Sequence, residues 1–229
     1  MKNYKRIGVL GGMSPETTVE FYHSIIREHF NDHGDYAYPE VVIFSVNFKR
    51  IIDLQESGDM ETYTNELMRG VESLESSGVD FIVIASNTPH VVFNQLEQRS
   101  KVPILSIVKN TADRAQDLSL SRVLLLGTKF TMQASFYKND FLELGIEVSV
   151  PSEPEQLEVN RIIFEELVLG EIKKSSKDYL LGLINKYPAK GIILGCTELS
   201  LIIGKKDTNK VLLDTLQIHI NATLRYAQN

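Results

Sequence analysis

Cysteine is almost absent from this chain of 229 residues, which contains only Cys196. One thiol cannot close an intramolecular disulfide, and it rules out a zinc site built mainly on thiolates. No His-Glu-x-x-His signature offers a zinc site built on histidines, and no metal is expected. Long apolar runs are missing too: "FIVIA" and "VLLLG" are far too short to cross a bilayer. The N-terminus "MKNYKRIGVLGG" lacks the apolar region and cleavage site of a signal peptide, and the expectation is a soluble, cytoplasmic protein with no membrane partner. Basic clusters are equally scarce. Twenty-four Lys and Arg against thirty Asp and Glu give a formal net charge of −6, with no run dense enough to track a phosphate backbone, so nucleic acid is not an expected partner. A G-x-G-x-x-G fingerprint, a P-loop and a G-x-S-x-G elbow are also absent, which removes the usual signs of a nucleotide cofactor or a serine hydrolase.

What is present suits a packed α/β protein. A hydrophobic share of 43% with 24% charged residues can fill a sizeable core, in one large domain or two small ones. Short apolar runs alternate with longer segments: "RIGVLG" (6–11), "EVVIFSV" (40–46), "DFIVIAS" (80–86), "VPIL" (102–105), "RVLLLG" (122–127), "IEVSV" (146–150), "GIILG" (191–195) and "KVLLD" (210–214). Strands alternating with helices point to parallel sheets, and strands apolar nearly throughout point to cover on both faces. Between the first two runs, Val19, Tyr22, Ile25, Ile26 and Phe30 recur at helical steps, as do Tyr63, Leu67, Val71 and Leu74 before the third. Each set predicts a helix with that face buried on a sheet.

The chain also echoes itself. "VLGGMSPETT" (9–18) and "LLLGTKFTMQ" (124–133) are both a strand ending in Gly and a polar turn into a helix, with Gly11 and Gly127 standing 116 positions apart. "DFIVIASNTPH" (80–90) and "KGIILGCTELS" (190–200) repeat the scheme, with Ser86 and Cys196 110 positions apart. Two pairs at nearly equal offsets imply two similar halves, and a solenoid would need more copies of a shorter period. Right-handed crossovers then gather the polar loops at the carboxyl ends of the strands, where ligands bind in open α/β sheets.

Cys196 follows a buried-strand pattern and precedes "TELSLII", which reads as the first turns of a helix. A thiol there is expected to have a lowered pKa. A lone cysteine is commonly a small buried hydrophobe, but the polar triplet Cys196, Thr197 and Glu198 argues for function. Ser86, Asn87 and Thr88 hold the matching place in the first half, able to cap the next helix or to hold a carboxylate. His90 is expected to pack and hydrogen-bond beneath that loop. In "GGMSPE" (11–16) two glycines allow close backbone approach, Ser14 is the expected N-cap and Pro15 the first helical residue. Its counterpart, Gly127 through Thr131, offers hydroxyls. Adjacent Glu165 and Glu166 on a helix do not face one another, and they read as a solvated face.

The strings "IGVLGGMSPETT", "SNTPH", "LLGTKFTM", "FYKNDF", "NRIIFEELVLG" and "LGCTELSLII", in this order along nearly the whole chain, resemble the aspartate/glutamate racemase family, closest to its broad-specificity amino-acid racemases. The resemblance implies two pseudo-symmetric, three-layer α/β domains with parallel sheets: 1–107 plus 208–229, and 108–207, with the active site in the cleft between them. It implies a racemase that works without pyridoxal phosphate or any other cofactor, using two bases on opposite faces of Cα. By motif, Cys196 matches one catalytic cysteine; Asn87, Thr88 and Thr197 match residues that bind the amino acid; Met13 and Ser14 match the first loop. Thr128 and Thr131 fall on the matching turn of the second half.

The departure is Ser86, where the family usually has cysteine. A hydroxyl is far less acidic than a thiol. Either the serine was introduced to trap a substrate, or it marks a natural branch in which a hydroxyl suffices on one face, or the chain no longer racemises. The expected activity is racemisation of aspartate or glutamate, with Cys196 as base and Ser86, or a water it holds, on the other face. Two alternatives stand beside it: an arylmalonate-type decarboxylase, in which a single thiol reprotonates an enediolate, and an acidic amino-acid binding protein. In some relatives a basic residue grips the side-chain carboxylate just before a Gly; here Val168 and Leu169 precede Gly170, leaving Lys49 and Arg50 as substitutes. A homodimer is expected, largely by resemblance.

Overall fold

All eight strands form, each slightly shorter than its apolar run. The computed structural model describes residues 4–228, which divide into two compact units, 4–107 with 219–228 and 108–218. In chain order the first unit comprises β1 (Ile7–Gly11), α1 (Pro15–His33), β2 (Val41–Ser45), α2 (Phe48–Ser57), α3 (Met60–Ser76), β3 (Phe81–Ile84), a 3-10 turn at Thr88–Val92, α4 (Phe93–Arg99) and β4 (Ile104–Leu105). Helix α5 (Ile107–Asp117) leads into the second: β5 (Arg122–Leu126), α6 (Lys129–Gln133), α7 (Phe136–Glu143), β6 (Glu147–Ser149), α8 (Glu153–Glu165), a 3-10 turn at Leu167–Leu169, α9 (Lys174–Lys186), β7 (Gly191–Leu194), α10 (Leu199–Ile202) and β8 (Val211–Asp214). Helix α11 (Thr215–Gln228) follows, and its residues from His219 onward belong with the first unit. The return to the first unit therefore lies at residue 219 and not at 208, because β8 pairs in register with β7 and completes the second sheet.

The two sheets share one topology, β2-β1-β3-β4 and β6-β5-β7-β8, with every pairing parallel. The echo in the sequence is thus an echo in strand order: Gly11 ends the second strand across the first sheet, and Gly127 follows the second strand across the other. Ser86 and Cys196 lie just past the third strand of each. Central strands β1, β3 and β7 are buried at every residue, whereas the edge strands β2 and β6 are only partly covered.

Helix α3 buries the set read from its period: Tyr63, Leu67, Val71 and Leu74 lie in the core with Leu10, Val46 and Ile84. Truncating Leu67 there would cost about 2 to 5 kcal/mol in lost transfer energy and cavity. Helix α1 forms as expected, but on a different face. It buries Thr18, Phe21, Ile25 and His29, while Val19 (68%), Tyr22 (44%) and Phe30 (41%) are exposed. The true face starts and ends on polar residues, which a search for apolar periodicity passes over. Glu166 also departs from expectation: Glu165 is exposed, but Glu166 is buried. Its carboxylate accepts from Ser176 Oγ at 2.6 Å and from Arg161 Nη1 at 2.8 Å. Among the described residues no helix is long and apolar enough to cross a membrane.

Candidate active site

Because every strand pair is parallel, the carboxyl ends of each sheet gather on one edge, and the candidate residues fall there. In the first unit the turn after β1 is held by Gly12, whose φ of +88° favours glycine; a Cβ there would lie 2.7 Å from Val46 N. The Gly12 N–H donates to Thr18 Oγ1 at 2.7 Å. Met13 is buried among Val46, Tyr63 and Leu10. Ser14 caps α1, its Oγ accepting from Thr17 N at 3.3 Å, with Pro15 in the first turn. At the end of β3, Ala85 N donates to Leu10 O at 3.0 Å and ties this loop to β1. Ser86 and Thr88 are half-buried and Asn87 is buried. Asn87 makes no side-chain cap to the 3-10 turn that follows.

His90 lies beneath the loop as expected, and its hydrogen bonds define its tautomer. Nε2 accepts the Ile107 N–H at 3.1 Å, so Nδ1 carries the proton and donates to the Asn87 carbonyl at 3.1 Å. Burial pulls its pKa down to about 4, against the opposing effect of backbone hydrogen bonds with Asn87 and Ser86. A neutral imidazole thus braces the serine loop against the start of α5.

The second unit builds its edge from different materials. Thr128 caps α6, with Oγ1 accepting from Thr131 N at 3.3 Å and lying 3.0 Å from Thr131 Oγ1. After β7, Gly195 N donates to Leu126 O at 2.7 Å. A Cβ on Gly195 would come within 3.0 Å of that same oxygen and 3.6 Å of Thr131 Cγ2, so glycine lets the two loops close on each other. The structure thereby sets Thr131 against Gly195, the residue that precedes Cys196 and Thr197.

Glu198 completes this group, and sequence reasoning gave it no role. The Cys196 thiol donates to Glu198 Oε2 at 2.9 Å, and Thr197 Oγ1 donates to the same oxygen at 2.8 Å. Its only signal in the sequence was its place in a polar triplet.

The expected lowering of the thiol pKa is overturned. Burial pushes the Cys196 thiol well above its usual range, and the Glu198 carboxylate adds to this by its charge and by accepting the S–H; N–H groups of Glu198 and Thr197 oppose it only in part. The helix expected to supply a favourable dipole is a single turn, Leu199–Ile202, reached through a turn over 196–198. One turn aligns few peptide dipoles.

The substitutes considered for gripping a substrate side chain are both paired within the first unit. Lys49 pairs with Asp53, and Arg50 lies 3.2 Å from Glu66, which also takes Arg69 at 2.6 Å. Val168 and Leu169 lie in the 3-10 turn after α8 and are exposed. Among the described residues no cluster of His, Cys, Asp or Glu could hold a metal ion.

Comparison with known proteins agrees with this architecture. A family model described as Asp/Glu/Hydantoin racemase matches residues 10–223. The broad specificity amino-acid racemase RacX of Bacillus subtilis (strain 168) is 30% identical over 160 residues, 69% of each chain. The crystal structure of an aspartate racemase homologue from Pyrococcus horikoshii OT3 superposes with a TM-score of 0.86 at 38% identity, covering 98% of this chain and all of that one. Glutamate racemase from Aquifex pyrophilus shares the fold at 19% identity with a TM-score of 0.65, over 96% of this chain and 83% of its own.

Proposed function

This chain belongs to the Asp/Glu/Hydantoin racemase family, and on that premise we propose that it interconverts the enantiomers of an acidic amino acid, aspartate or glutamate, by cofactor-independent proton transfer at Cα. The observation that carries the reading is the Cys196–Glu198 contact of 2.9 Å at the end of β7. A thiol is a useful base only as thiolate. At rest this one is held protonated, but its proton already points at a carboxylate oxygen. Transfer of that proton to Glu198 Oε2 leaves a thiolate beside a neutral acid, and the thiolate can then take the proton from Cα. The electron pair left on Cα spreads onto the α-carboxylate, which Asn87, Thr88 and Thr197 are proposed to bind. A proton returns to the opposite face from Ser86 Oγ or a water it holds, and exchange with solvent resets both sides.

Met13, Ser14, Thr128 and Thr131 shape the two loops in this reading. Met13 does so through its seat in the core, and Ser14, Thr128 and Thr131 through the caps that hold α1 and α6 in place. The proposal requires the ends of β3 and β7 to flank one substrate, so that Ser86 and Cys196 reach opposite faces of a single carbon. It also takes the protein to act in the cytoplasm as a homodimer.

One observation favours a second reading. A thiol held protonated is what a proton donor needs, as in an arylmalonate-type decarboxylase that reprotonates an enediolate from one face. The deciding experiment incubates the protein in deuterium oxide with each enantiomer of aspartate and glutamate, then with an arylmalonate. Deuterium at Cα with chirally resolved inversion supports the racemase; carbon dioxide release from the malonate supports the decarboxylase. Binding with neither reaction leaves an acidic amino-acid binding protein.

A further inference from the structure

We propose that Lys129 sets the substrate class of the site, its ammonium receiving the second carboxylate of a dicarboxylic amino acid; this rests on the racemase reading. Lys129 opens α6, directly after the cap Thr128 and two residues before Thr131, on the loop that packs against Gly195, the residue before Cys196. Its main chain is fixed, since its N–H donates to Asn160 Oδ1 on α8 at 2.8 Å. Its side chain is half-buried, yet among the described residues its ammonium takes part in no ion pair, hydrogen bond or aromatic contact.

Several other cations are committed. Arg161, one residue beyond Asn160, is bound to Glu158 at 2.7 Å and to Glu166 at 2.8 Å, and Lys173 to Glu171 at 3.1 Å. In the first unit, Lys49 and Arg50 are neutralised by Asp53 and Glu66. Lys129 is thus a half-buried cation, on the loop packed against Gly195, whose charge no described residue pairs. A partly buried charge is costly without a counter-ion, and a substrate carboxylate supplies one. A neutral side chain, such as that of glutamine, leaves the ammonium unmatched.

The test compares glutamate with its uncharged isostere glutamine, on the wild-type chain and on Lys129→Met and Lys129→Arg. Calorimetric binding and Cα deuterium exchange are both measured. The wild type is expected to favour glutamate, and Lys129→Met to shrink the glutamate-to-glutamine ratio about tenfold to a hundredfold, as for loss of one charged hydrogen bond. Lys129→Arg should restore most of the ratio, and thermal unfolding checks that each variant is folded. A ratio unchanged in Lys129→Met, or a wild type that binds glutamine as well as glutamate, overturns the proposal. Exchange confined to neutral amino acids sinks Lys129 while sparing the racemase. A Lys129-dependent preference in binding without any exchange does the reverse.

Discussion

The loop after β3 and the loop after β7 occupy the same place in the same strand order, and they differ in what stands behind the reactive atom. Behind Cys196 is a carboxylate, Glu198, in contact with the sulfur. Behind Ser86 is a neutral histidine that hydrogen-bonds to backbone at Asn87 and Ile107. One half offers a proton acceptor beside a thiol; the other offers a rigid frame beside a hydroxyl. A duplicated fold therefore need not carry duplicated chemistry, and the proposed two-base site is expected to work unequally on its two faces.

The most severe way to break the comparison is to remove each reactive group in turn. Cys196→Ala should lower Cα deuterium exchange by about a hundredfold to ten thousandfold, the usual worth of a positioned base. Ser86→Ala should cost only about tenfold on the same scale. Equal losses would mean that the two faces are chemically alike after all. The converse change, Ser86→Cys, should raise net racemisation by about a hundredfold by placing a thiol on both faces. In the unaltered chain, exchange into one enantiomer should outrun net inversion, and symmetric exchange from both enantiomers would count against the role given to Ser86.

Much of this contrast was legible in the residues. The strand-end pairing of Ser86 with Cys196 follows from two apolar runs and an offset, because strand patterns depend on local composition. The buried set of α3 follows from simple period. The face of α1 did not, since it runs through Thr18 and His29, whose burial is decided by partners elsewhere in the fold. Glu166 was hidden for a similar reason: its counter-charge Arg161 and its donor Ser176 come from either side of a turn. The contact between Cys196 and Glu198 spans only two positions. It depends on the backbone turning over 196–198 where the sequence suggested a helix already under way, and in a helix such neighbours would face apart.

Glu198 gives a sharper and smaller test. In Glu198→Gln the carboxylate that raises the thiol is gone, so alkylation of Cys196 by iodoacetamide should set in at lower pH than in the wild type. Exchange at Cα should nevertheless fall about tenfold to a hundredfold, because the acceptor for the thiol proton has been removed. The two readouts moving in opposite directions would identify Glu198 as proton acceptor. A variant whose thiol becomes more reactive and whose exchange also rises would show that the carboxylate only suppresses the thiolate.

The smallest effect separates the units by pH. In the first, burial holds His90 at about 4, and burial with the charge of His90 holds His219 at about 3. Both lie below the free imidazole value of about 6.5, so the unfolded chain takes up these protons first. Their contribution to stability is complete above about pH 6.5 and is lost as pH falls through about 4 and then 3. In the second unit, burial alone would raise Glu155, but hydrogen bonds from Lys186, Ser152 and Tyr187 outweigh it and hold the carboxyl at about 2. That contribution is complete above about pH 4.3 and is lost only as pH falls toward 2. Amide exchange, corrected for intrinsic rates, should therefore show β1 and β3 losing protection between pH 6.5 and 4.5 while β5 and β7 keep theirs. His90→Asn should flatten the first slope, and Glu155→Gln should leave that window unchanged. Parallel loss in both sheets would mean that the units unfold as one and that the buried histidines do not set the acid limit of the first.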